Sequence, residues 1–66
     1  MKVRDILKRL AEDGWQLANQ KGSHRQFTHR TKAGKVTVNG HASDEIKGTL
    51  LHWIFDQAQW PWDTRS

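Results

Sequence analysis

Cysteine and tyrosine are absent from this 66-residue chain, and proline occurs once. Without cysteine no disulfide can staple the fold, and no thiolate can hold zinc or attack a substrate. No apolar run approaches the roughly 18 residues that a membrane-spanning helix needs. Met1-Lys2-Val3-Arg4-Asp5 has no apolar signal-peptide region behind it. A cytoplasmic protein is expected. His24, His29, His41 and His52 show no H-x-x-H or H-E-x-x-H spacing, and no acidic cluster joins them, so no metal site is expected. No glycine pattern resembles a phosphate-binding P-loop. A serine triad would need several supported loops that a chain of this length lacks. So short a chain buries only about 60% of its unfolded surface. One domain over residues 1–66 is expected, with 59–66 as an irregular tail.

Acidic residues are also missing from the middle. Lys21, Arg25, Arg30, Lys32 and Lys35 follow one another with no acid between them, within a chain of net charge +4. The acids sit before this run (Asp5, Glu12, Asp13) and after it (Asp44, Glu45, Asp56, Asp63). Segregation of this kind turns one basic face toward a polyanion, and nucleic acid is the first candidate.

Val3, Ile6, Leu7, Leu10 and Ala11 form one helical stripe, which predicts a helix over Lys2–Asp13. Gly14 suits the position that terminates it. Alternation in Trp15–Gln20 predicts a strand with Trp15 and Leu17 on the inner face. A second strand, His24–His29, turns Phe27 inward together with Arg25 and His29, and leaves His24, Gln26 and Thr28 outward. Lys35–Asn39 is a third strand with Val36 and Val38 inward. The outer face should then read Gln16, Ala18, His24, Gln26, Thr28 and Thr37. A second helix starts at Gly48-Thr49 and buries Leu51, Ile54, Phe55 and Ala58, with Leu50 and Trp53 broadening the stripe and Ile46 plugging the core ahead of it. Pro61 ends it. Trp60 and Trp62 either fold back over this helix or offer an aromatic patch to a partner. The order α-β-β-β-α, with one apolar sheet face, predicts a two-layer α+β sandwich: a three-stranded antiparallel sheet with both helices on one side.

The run Lys21-Gly22-Ser23-His24-Arg25-Gln26-Phe27 sets a cation, a glycine, a hydroxyl and an imidazole at a strand's edge. Histidine beside cations suits metal-free acid–base work. RNA invites that chemistry, because it supplies its own nucleophile in the 2′-hydroxyl. His24 is the candidate catalytic residue. Lys21, Arg25 and the backbone amides of Gly22 and Ser23 are candidate phosphate ligands. Ser23 either orients His24 or caps a loop amide. His29 belongs to packing or the strand edge, His41 to RNA contact or a turn, and His52 to no chemistry.

These residues, with the Gly14-Trp15 junction, Val36-Thr37-Val38, Gly40-His41 and Gly48-Thr49-Leu50, resemble the HicA family, the toxins of HicA–HicB toxin–antitoxin modules. The resemblance covers about residues 1 to 58, and its most specific motif is Gly-Ser-His with an aromatic three residues later. It implies a fold like the double-stranded-RNA-binding domain and an mRNA interferase activity with His24 as the catalytic residue. It also implies a HicB-like antitoxin that masks His24. The Leu50–Phe55 stretch is more aromatic than the resemblance leads one to expect, and the Trp60–Ser66 tail lies beyond it. The rival function is a small RNA-binding module of the same fold without catalysis.

Overall fold

Helix α1 (Val3–Glu12) buries Val3, Ile6 and Leu10 and leaves its charged faces in solvent. It stops where the sequence says it should. Gly14 adopts φ 95°, and the Trp15 and Gly14 amides donate back to the carbonyls of Leu10 and Ala11. That pair of reverse bonds is the left-handed termination that glycine permits at lowest cost. A side chain at Gly14 would also press on His29, whose Nε2 stands 3.0 Å from where a Cβ would lie.

A computed structural model describes residues 1–62. Residues 63–66, the end of the tail expected at 59–66, lie outside the described residues. After α1 come β1 (Gln16–Lys21), β2 (His24–Thr28) and β3 (Val36–Asn39), an antiparallel sheet in the order β1-β2-β3, and then helix α2 (Gly48–Ala58). The expected α-β-β-β-α sandwich is the observed fold, resembling a double-stranded-RNA-binding domain. One sheet face supplies Phe27, Val36 and Val38 to a single core that also takes Val3, Ile6, Leu10, Trp15, Ile46, Leu51, Ile54, Phe55, Ala58 and Trp60. The opposite face is uncovered.

Three expectations fail, each for a physical reason. Leu17 stands opposite Phe27 and so has the inward parity, yet it is 51% exposed, because the helices cover the sheet only as far as β2 and β3. Leu50 and Trp53 do not broaden the buried stripe of α2. The arc through Leu51, Ile54, Phe55 and Ala58 already fills the core, and the two flanking residues are left 52% and 61% exposed. Ala18 is not a regular member of the outer face. Leu17 pairs with Phe27 but Asn19 pairs with Gln26, so Ala18 is the extra residue of a β-bulge.

Asp13, at the end of α1, gathers the far parts of the chain. Its Oδ2 accepts from Trp15 Nε1 (3.1 Å), Trp60 Nε1 (3.0 Å) and Lys32 Nζ (2.6 Å). Lys32 also donates to the Ala58 carbonyl at the end of α2. These bonds, led by Lys32 and then Trp60, hold the Asp13 carboxyl down at about 2. Trp60 is buried and meets Phe55 edge-on, with the Arg9 guanidinium 4.4 Å from its ring centre. Trp62 lies against Phe55 and His52. Both tryptophans therefore fold back over α2, and Trp60 is a core residue.

Candidate functional site

The β1–β2 hairpin closes through two residues, Gly22 and Ser23. Gly22 has φ 60°, the positive value that a tight two-residue hairpin requires at its first turn position. A Cβ there would meet nothing within 4 Å, so backbone conformation and not space demands the glycine. Gln20 braces the turn by donating from Nε2 to the Gly22 carbonyl.

Lys21 and His24 flank this turn and are direct cross-strand partners, which puts their side chains on the same face. That face is the open one. On the other side of His24 stands Asn39 of β3. Asn19 and Thr37 flank Gln26 in the next row. Asn19, Lys21, His24 and Gln26 line a shallow concavity. Among the described residues Lys21 has no acidic partner, so its ammonium is free to meet an anion.

The bulge makes this arrangement. In an unbroken strand with Leu17 inward, Asn19 and Lys21 would also point inward, since side chains alternate. One extra residue at Ala18 reverses the parity and delivers both to the His24 face. Sequence reasoning missed Asn19 for this reason. It also passed over Asn39, although the Val36-Thr37-Val38-Asn39 alternation marks it as outward.

The five expected site residues separate. Lys21 and His24 are brought together, with Gly22 and Ser23 in the turn between them. Ser23 Oγ donates to Asn39 Oδ1 (3.0 Å), tying the turn to the end of β3 beside His24. Arg25 departs. It stands opposite Val38 on the helix side of the sheet, and its Nη1 donates to the carbonyls of Gly40 (2.9 Å) and Ser23 (3.3 Å). Through Nη1 its guanidinium braces the turn from behind.

The other histidines are structural or peripheral. His29 bonds through Nε2 to the Asp13 carbonyl (2.7 Å), while Nδ1 accepts from the Thr31 and Lys32 amides. Two donors aimed at Nδ1 assign the hydrogen to Nε2, and the ring packs edge-on against Trp15. His41 is exposed in a turn closed by its own amide and Asp44 Oδ2. His52 lies 3.8 Å from Asp56 and against Trp62. Among the described residues no three histidine or acidic side chains come together in a way that could hold a metal ion, and no helix is long and apolar enough to cross a membrane.

A family model described as the HicA toxin of bacterial toxin–antitoxin modules matches residues 3–60. No curated protein matches the chain.

Proposed function

The chain belongs to the HicA family of bacterial toxins, and from that premise we propose that it is a cytoplasmic endoribonuclease that cleaves mRNA without a metal ion, using His24 as general acid or base. As a member of this family it works as a toxin paired with an antitoxin. A HicB-like antitoxin that covers His24 completes the reading.

The observation that carries it is the cross-strand pair Lys21–His24 on an open polar face at the mouth of the hairpin. RNA cleavage by internal transfer needs little more from a protein. The 2′-oxygen forms a bond to the adjacent phosphorus while the bond to the 5′-oxygen breaks. One proton leaves the 2′-hydroxyl and one arrives on the departing oxygen. A single imidazole can serve either transfer. Negative charge builds on the non-bridging phosphate oxygens between these events. In this reading the Lys21 ammonium, one strand away from His24, meets that charge, with the amides of Gly22 and Ser23 as further donors. Asn39 and Ser23 fix the base of the site, and Arg25 enters as the brace of the turn in place of the phosphate ligand first expected.

This mechanism leaves a chemical signature. Cleaved RNA should carry a 2′,3′-cyclic phosphate, or its hydrolysis product, on the upstream fragment. A substrate with 2′-deoxyribose at the cleavage position should resist. Efficient cutting of the deoxy-substituted strand would contradict the mechanism.

A further inference from the structure

Three large apolar side chains are exposed among the described residues, and two of them, Leu50 and Trp53, are neighbours on α2. Neither supports the core, and neither belongs to the His24 concavity. They border a groove between α2 and the β3 edge of the sheet, with Ile46 and Ile54 as its floor, and Thr37 and Asn39 of β3 with the preceding Lys35 along its other wall. A second shallow depression continues across the helix past Thr49, His52 and Asp56. Leu50 and Trp53 thus form a ridge with hollows on both sides.

We propose that this ridge and groove anchor the antitoxin, which inserts an apolar side chain between Trp53 and β3 and sets an acidic group against Lys35. The occupant follows from what the groove is made of and where it runs. A toxin of this family has an antitoxin partner. Exposed tryptophan is one of the side chains that dominate binding energy at protein interfaces, and with Leu50 beside it the apolar surface is contiguous, the mark of an interaction site. Among the described residues Lys35 is the one charged residue that lines the groove, so an acidic group seated there is electrostatically complementary. The groove is also continuous with the site: Asn39 forms part of its wall and is the cross-strand partner of His24. Adjacent strands lie about 4.8 Å apart, so a chain seated in the groove needs to extend only one strand further to cover the imidazole. The β3 edge does not invite simple strand addition, because the outward Thr37 amide is already satisfied by Gln57 Oε1 (2.9 Å). Side-chain insertion is therefore the mode of docking.

The proposal rests on membership of a toxin–antitoxin family and not on the ribonuclease reading, and the test separates the two. Affinity of the purified cognate antitoxin for the toxin is titrated calorimetrically with wild type, Trp53→Ala, Leu50→Asn and Lys35→Glu, alongside melting temperature and RNA cleavage. Trp53→Ala should weaken the complex by about thirtyfold, the scale of one interface hot spot. Leu50→Asn and Lys35→Glu should weaken it less, with melting unchanged in all three and cleavage by the free Trp53→Ala and Leu50→Asn toxins retained. Undiminished antitoxin affinity in both Trp53→Ala and Leu50→Asn overturns the proposal. So does a wild-type homodimer that Trp53→Ala dissociates, which would assign the ridge to a second copy. Loss of RNA binding by Trp53→Ala with antitoxin affinity intact would assign it to RNA and overturn the proposal equally. Absence of any cleavage by wild type would count against the ribonuclease reading alone.

Discussion

Lys21 and His24 face each other across the first rung of the β1–β2 hairpin, and they share the open face because Ala18 bulges out of β1. The relationship is mechanical before it is chemical. A six-residue edge strand with no buried side chain can carry an irregularity cheaply, since no packed core has to be rebuilt around it. The irregularity sets the Lys21 ammonium on the same face as the His24 imidazole.

If the Lys21 ammonium meets charge on the reacting phosphate, Lys21→Met should lower the RNA cleavage rate about a hundredfold, the scale of losing one charge-stabilising donor. Because the residue is exposed on an edge strand, melting temperature should hold. Single-turnover rates on a fluorescent single-stranded RNA give the comparison, and a loss under threefold would remove Lys21 from the mechanism.

Asp13 gives the fold a dependence on acid. Its carboxyl is depressed from 3.8 to about 2 by Lys32, Trp60 and Trp15. A folded-state value below the unfolded one stabilises the protein in full above about pH 4, and that contribution disappears as pH falls toward 2. Thermal melts of wild type should drop across this window, and those of Asp13→Asn should drop less. At neutral pH Asp13→Ala leaves the two indole N–H groups without their acceptor and the Lys32 ammonium with the Ala58 carbonyl alone, a cost of about 1–3 kcal/mol. Parallel acid titrations of the two proteins would contradict this role.

Trp60 bears on the suggestion that the C-terminal tryptophans are a detachable partner contact. Trp60→Ala removes a buried ring and the Asp13 hydrogen bond, which should cost about 3–5 kcal/mol. A domain of this size has little more than that to lose, so the variant should be largely unfolded by far-ultraviolet circular dichroism at 37 °C. Truncation before residue 60 should behave alike. A well-folded truncation would show that the tail is an appendage after all.

Much of the fold was legible because its signals are local. The Val3–Leu10 stripe, the Gly14 stop and the Val36/Val38 alternation each follow from a spacing rule, and Phe27 fixed the parity of β2, hence the outward direction of His24 and the inward one of Arg25. The β1 parity was not legible. Gln16–Lys21 holds a single large apolar residue, so a shift of one position leaves no mark on its pattern, and Asn19 stayed hidden with it. Leu50 and Trp53 misled for the opposite reason: hydropathy cannot tell an apolar residue that fills a core from one that waits on its rim. The Asp13 cluster joins residues up to 47 positions apart, and no local pattern announces it. For Arg25, the basic run was visible but the two carbonyls that hold it were not.

The most direct measurement is the paired cleavage of single-stranded RNA by wild type and His24→Ala in the presence of EDTA, with circular dichroism confirming that both are folded. The account predicts that wild type cuts and that His24→Ala, whose side chain lies on the uncovered face and supports no core residue, loses cutting while keeping its melting temperature. Full cleavage by a folded His24→Ala protein would contradict it.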